Sequence, residues 1–272
     1  MAVEYATTSG DPSCIRRRTM LASWQHSLLD LESIGCVNTQ PVSIAIGTLN
    51  EGPLHQALKA LYVDDDGQSE VAIDGYIADV RAVDDVLYEI QTSGFSSLKN
   101  KLHQLVARHR VVLVYPVART RTIVKLPRDA DELATRRRSP KKGAIANVVA
   151  ELVSIPRLLN HPNFELEVVL ICEDEVREYG GEKYRRRKGW RVVQRQLTEV
   201  LERQRFKNAH DLFRLAPGPL AEVFTTRDLA EAMSQSRMLA QKLAYCLREA
   251  GEIEVCGKVG NALEYRRVGV GG

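Results

Sequence analysis

The sequence has no CxxC pair and no cysteine beside paired histidines: its cysteines, Cys14, Cys36, Cys172, Cys246 and Cys256, are odd in number and scattered. That spacing argues against a zinc site. No apolar run approaches the ~20 residues of a membrane helix, and the first residues lack the apolar core of a secretory signal. These absences imply no zinc, no membrane span and a cytoplasmic protein with reduced thiols. Net charge is scarce too, +3 from 38 Lys and Arg against 35 Asp and Glu.

The charge that is present is unevenly placed. Between Ala118 and Gly143 nine basic residues stand against three acids, and between Arg177 and Arg195 eight stand against two. Such segments suit a polyanionic partner, so the partner expected is DNA. The runs Arg136, Arg137, Arg138 and Lys141, Lys142 flank Ser139 and Pro140 in a loop that could contact phosphates or simply be solvated. The run at Arg185 to Lys188, between Tyr184 and Trp190, is equally balanced between binding and core anchoring.

With 272 residues, 44% of them hydrophobic, the chain can hold one large domain or two modest ones. Four segments are expected. Residues 1–40 form a poorly packed extension with at most one helix, Met20 to Leu31. Residues 41–175 form the main core, 176–215 a basic connector with a helix at Val192 to Gln204, and 216–268 a small α+β module. In the core, Asn50 caps a helix carrying Leu54, Leu58 and Leu61. Extended runs at Glu70 to Arg81 and Val86 to Thr92 make a hairpin. An amphipathic helix from Phe95 to His109, a buried strand at Val111 to Val117, a short strand at Thr122 to Leu126, a helix at Ala144 to Leu159 and a strand at Phe164 to Cys172 follow. The last module reads helix, turn, helix and a two-stranded wing. Its longer helix, Arg237 to Ala250, keeps Arg237, Gln241, Lys242, Tyr245 and Arg248 outward, residue types suited to a DNA groove.

If the hairpin turns near Arg81 and Ala82, Asp74 lies opposite Glu89, because antiparallel partners keep a constant sum of positions. Glu89 and Gln91, two apart, share one face. Asp74 and Glu89 then supply the carboxylate pair that a hard divalent ion requires. Glu51 on the preceding helix is a third acid for the same cleft. Asp79, Asp84 and Asp85 lie nearer the turn and read as surface charges, and His55 as a helix-face residue. The competing reading is an ordinary hairpin with solvated acids. Acids are depleted from strands, and Glu89 between Tyr88 and Ile90 argues against that alternative.

A helix with an early Glu, then IDGYIADV, a turn, LYEIQT, an amphipathic helix and a strand resembles the PD-(D/E)XK nuclease core across Asn50 to Val117. The resemblance implies an α/β, restriction-endonuclease-like mixed sheet flanked by helices. The C-terminal element order resembles a winged-helix domain. By the same resemblance Asp74 and Glu89 are ligands of Mg²⁺, with Mn²⁺ able to substitute, Glu51 is the helix-borne acid, and Gln91 stands where the family usually has Lys. Glutamine orients water but cannot neutralise developing charge as an ammonium does. Lys99, near the helix start, or Lys101 is the candidate replacement. The activity implied is metal-dependent DNA hydrolysis, with a homodimer as the candidate assembly. The alternative is a non-catalytic winged-helix DNA-binding regulator with a degenerate core, and a third reading is an adaptor that binds protein.

Overall fold

The computed structural model describes residues 51–63, 65–129 and 132–269, so the expected Met20–Leu31 helix and the Asn50 cap lie outside the described residues. The architecture is mixed α/β. A seven-stranded sheet has the order β1 (Gln68–Ile73), β2 (Tyr76–Arg81), β3 (Leu87–Ile90), β4 (Val111–Lys125), β6 (Phe164–Tyr179) and β7 (Trp190–Phe206), with β5 (Thr135–Arg138) paired to β4. β3, β4 and β6 run parallel, and the other pairings are antiparallel. Parallel neighbours need long crossovers. Helix α2 (Lys99–Val106) supplies the one between β3 and β4.

Alternation along β4 divides the core into two layers. Val112 and Val114 join Leu54, Leu58 and Tyr62 on the side of α1 (Pro53–Lys59). Val111 and Leu113 join Leu87, Phe95, Leu102 and Leu105 on the side of α2. Period-two alternation in a strand buried on both faces explains the near-continuous apolar run.

Two elements differ from the sequence expectation. The segment 192–204, expected as a helix, lies within β7 and pairs with β6 along almost its whole length. Three register shifts along that pairing interrupt the alternation in β7 and give it a less regular spacing of apolar residues. Residues 176–179 and 190–206 therefore belong to the large sheet, joined by a 3-10 segment at Gly181–Arg187. The helix expected from Ala144 to Leu159 is shortened to a 3-10 turn at Ile145–Val148, α3 (Val149–Leu152) and a second 3-10 turn at Leu158–Asn160. Pro156 has no N–H to continue a helix. The short strand at Thr122 to Leu126 is the far half of β4.

After a 3-10 turn at His210–Leu215, residues 223–267 form β8 (Val223–Thr225), α4 (Thr226–Met233), α5 (Arg237–Glu249), β9 (Ile253–Val259) and β10 (Ala262–Arg267). Their sheet order is β8-β10-β9. Leu229, Leu243, Leu247, Ile253 and Tyr265 share one hydrophobic cluster with the α2 side of the large sheet. Asn160 Nδ2 donates to the Ala250 carbonyl at 2.9 Å across that contact. No helix among the described residues is long and apolar enough to cross a membrane.

Candidate metal centre

The site begins with two turns. Asp74 and Gly75 are the loop of a tight hairpin in which Ile73 faces Tyr76, and their φ values are 49° and 81°. Positive φ at both central positions is the geometry that Asp-Gly favours. The second turn, 82–86, is closed by the Ala82 amide donating to the Val86 carbonyl at 2.9 Å. It sets Val80 opposite Tyr88 and Arg81 opposite Leu87. Positions in that register sum to 168, so Asp79, not Asp74, is the residue facing Glu89. Asp74 instead pairs with His109 at 3.1 Å and Arg108 at 3.6 Å. This corrects the expected Asp74 and Glu89 pairing.

The β2/β3 ladder stops at Val80 and Tyr88, and side chains take over. The Ile90 amide donates to Asp79 Oδ2 at 2.7 Å, and His55 Nε2 donates to the Ile90 carbonyl at 2.9 Å. Both backbone groups that a continued strand would have paired are thus satisfied. Because Nε2 carries the proton, the neutral ring presents a bare Nδ1. That atom lies 3.3 Å from Glu51 Oε2 and is buried with no hydrogen-bond partner among the described residues. Burial opposes charge on His55, but the hydrogen bond and charge of Asp79, with Glu51, outweigh it and raise its pKa. Burial likewise opposes ionisation of Asp79; His55 and the Ile90 amide overcome it and hold that carboxyl low.

Glu89 is 2% exposed. Lys101 Nζ donates to its Oε2 at 2.6 Å and to the Ile77 carbonyl at 2.6 Å, while Oε1 has no partner among the described residues. Burial pushes the Glu89 carboxyl up to about 7, with the nearby Asp79 adding to the shift and Lys101 opposing it. Lys59 Nζ holds Glu51 at 2.7 Å and reaches Glu70 at 3.3 Å. The Gln91 amide donates to the Gly94 carbonyl at 2.9 Å and to Ser97 Oγ at 3.3 Å, which leaves its own carbonyl oxygen free of those bonds.

Of the expected site residues, the structure clusters Glu51 with His55 and Asp79, places Glu89 with Lys101 next to Asp79, and turns the Gln91 side chain to Gly94 and Ser97. Lys99 is exposed and lines a separate hollow with His103, Arg157 and Tyr245, so Lys101 is the lysine that reaches the acids. Arg136, Arg137 and Arg138 lie on exposed β5, with Arg136 held by Asp174 at 2.6 Å. Lys141 and Lys142 are exposed in the following loop. On α5, Arg237, Gln241, Tyr245 and Arg248 are exposed and Lys242 is half-buried.

The donor set could hold a metal ion. Glu51, His55 and Asp79 each offer one ligand atom, all within 4.8 Å of one another. Two buried atoms lack partners among the described residues: His55 Nδ1 within this group, and Oε1 of Glu89, the carboxylate next to Asp79. Native proteins seldom leave such atoms unmatched.

Fold and site together define an α/β protein with a large mixed sheet flanked by helices and a carboxylate–imidazole cluster where two strands part. The chain belongs to the family described as Domain of unknown function (DUF8091), which matches residues 52–207, from the start of α1 to the end of β7. It is similar to an uncharacterized protein of Treponema pallidum (strain Nichols), with 34% identity over 188 residues, 69% of this chain and 74% of that protein. No solved structure matches it.

Proposed function

We propose that this protein is a divalent-metal-dependent DNA endonuclease of PD-(D/E)XK type, with a restriction-endonuclease-like core and a winged-helix module at residues 216–268. The observation that carries the reading is the convergence of Glu51, His55 and Asp79 within 4.8 Å beside the buried, half-satisfied carboxylate of Glu89. The ligand set proposed is therefore Glu51, Asp79 and His55 Nδ1, with Glu89 a further carboxylate next to Asp79 at its edge. Mg²⁺ is the expected ion, and the imidazole makes Mn²⁺ an effective substitute. When bound, such an ion supplies Lewis-acid polarisation of the phosphate and a lowered water pKa.

The chain's own groups do the rest. Lys101 fixes Glu89 through Oε2 and leaves Oε1 for the ligand. Gln91, anchored through its side-chain nitrogen to Gly94 and Ser97, keeps its carbonyl oxygen as an acceptor that would orient a water. Lys101, in the first turn of α2, is the ammonium that offsets developing negative charge. Hydrolysis adds one water across one P–O bond and leaves a phosphate monoester and a hydroxyl end. Basic β5 and the exposed stripe of α5 bind the backbone and groove of DNA. A cytoplasmic location and a homodimer that cuts both strands belong to the same proposal.

One observation favours a non-catalytic DNA-binding regulator: Lys59 and Lys101 form ion pairs with Glu51 and Glu89. The two readings separate in one assay. Purified protein is incubated with supercoiled, linear, single-stranded and branched DNA in Mg²⁺, Mn²⁺ or EDTA. Metal-dependent cleavage of any substrate, lost in Glu89→Ala, supports the nuclease. Intact DNA on every substrate, with binding retained, supports the regulator.

A further inference from the structure

Beyond the metal centre, the loop after β5 folds back over β4. Gly143 donates its amide to the Ala118 carbonyl at 3.0 Å, and Ser139 donates to the Arg121 carbonyl at 2.7 Å. Asn147 Oδ1 accepts from the Ala144 amide at 2.7 Å and fixes the loop's exit. A Cβ on Gly143 would lie 2.5 Å from the Ala118 oxygen and 2.7 Å from Val117 Cγ1, so the approach is open only to glycine. The result is a cavity of about 420 Å³ walled by Ala118, Arg121, Ser139, Lys141, Lys142 and Asn147, with no acid in its lining. Arg121 is engaged by Glu173 and Glu175, which leaves Lys141 and Lys142 as the charges an anion would meet.

The cavity and Glu89 share one face of the sheet. Tyr88 and Ile90 turn toward α1, so Glu89 between them turns toward α2, and Val117, against which Gly143 packs, belongs to that same α2-side layer. β4 connects them. Ile90 pairs with Val114, and Ala118 lies four residues further along β4. At ~3.3 Å per residue that is about 13 Å, on the order of four nucleotides of one DNA strand.

We propose that this pocket is a phosphate subsite that grips the nucleic-acid backbone on the order of four nucleotides from the phosphate held at the metal centre. The distance in nucleotides rests on the nuclease reading; the subsite itself does not. The pocket takes one tetrahedral phosphodiester, with Lys141 and Lys142 as counter-charges and Ser139 and Asn147 as neutral hydrogen-bonding walls.

The test is made in EDTA, where cleavage plays no part, by fluorescence anisotropy on a labelled duplex of ~20 base pairs over a range of salt. Lys141→Gln/Lys142→Gln should weaken binding about tenfold and flatten the slope of log affinity against log salt by ~0.9 for each phosphate that is no longer neutralised. Gly143→Ala keeps every charge but forces the loop off β4, and should weaken binding comparably. Asn147→Ala, which frees the same loop, serves as the second charge-preserving variant, and thermal melting checks that both are folded. The proposal is overturned if the charge-preserving variants bind like wild type, since the lysines would then act as generic surface charge, or if wild type does not bind the duplex. Wild type that binds in EDTA yet never cleaves in Mn²⁺ removes the nuclease reading and leaves the subsite standing.

Discussion

Lys101 holds Glu89 by one oxygen only: Nζ lies 2.6 Å from Oε2, and the buried Oε1 has no partner among the described residues. The carboxyl is pushed up to about 7 from 4.5, first by burial. A raised carboxyl pKa favours the protonated folded state. The stability it contributes is fully present below about 4.5 and is lost as pH rises through about 7. Chemical denaturation in EDTA should therefore show stability falling across that window by up to about 3 kcal/mol. Glu89→Gln should flatten the fall. An unchanged pH profile in Glu89→Gln would show that this carboxyl is not the group responsible.

Helix α1 has seven residues, too few to persist alone, and is anchored by Leu54 and Leu58 against Val80, Ile90, Val112 and Val114. It also carries His55. Leu58→Ala should destabilise the protein by about 2–5 kcal/mol and weaken Mn²⁺ binding in the fraction that stays folded, as measured by calorimetry. Full Mn²⁺ affinity in a destabilised Leu58→Ala would separate the helix from the site.

α4 starts with a reciprocal cap. Thr225 Oγ1 accepts from the Arg227 and Asp228 amides, and Asp228 Oδ2 accepts from the Thr225 amide at 2.7 Å. The Thr225 amide and hydroxyl, both donating to Asp228 Oδ2, hold that carboxyl below its ordinary value. Asp228→Ala should cost about 1 kcal/mol at neutral pH. A lowered carboxyl pKa stabilises above the unfolded value of 3.8, so the difference between wild type and variant should shrink as pH falls below it. Thermal melts at pH 7 and pH ~3 check both statements.

Thiol chemistry should sort the described cysteines by burial. Cys246 is fully buried and its thiol is pushed up to about 12 by desolvation, whereas Cys256 is exposed. In native protein at neutral pH, iodoacetamide should modify Cys256 and spare Cys246, read by peptide mass mapping. Early modification of Cys246 would mean that α5 opens readily from the core.

Much of the large sheet was legible in the sequence because β4 and the first half of β6 are continuous apolar runs and α2 has helical spacing. The register of the acids is not legible. Residue type, helix face and strand position single out Glu51, Glu89 and Gln91, of which Glu51 lies in the cluster with His55 and Asp79. Asp79 was read as a surface charge because the hairpin was centred near Arg81 and Ala82. The Asp74-Gly75 dipeptide, a strong turn signal, marked a separate hairpin; with the next turn centred on Asp84 the same sum rule selects Asp79. His55 had no local signal, since its role depends on β2 and β3 parting at Ile90. β7 was misread because bulges in its pairing with β6 break the alternation that marks a strand.

The most direct measurement is the nicking rate of supercoiled DNA in Mn²⁺ for Asp79→Asn beside Asp74→Asn. Asparagine tolerates the positive φ of the turn at 74, so that variant removes a carboxylate without removing the hairpin. The account predicts that Asp79→Asn lowers the rate about a hundredfold or more while Asp74→Asn stays within about twofold of wild type. Loss of activity in Asp74→Asn with activity kept in Asp79→Asn, or no metal-dependent nicking by wild type, would contradict it.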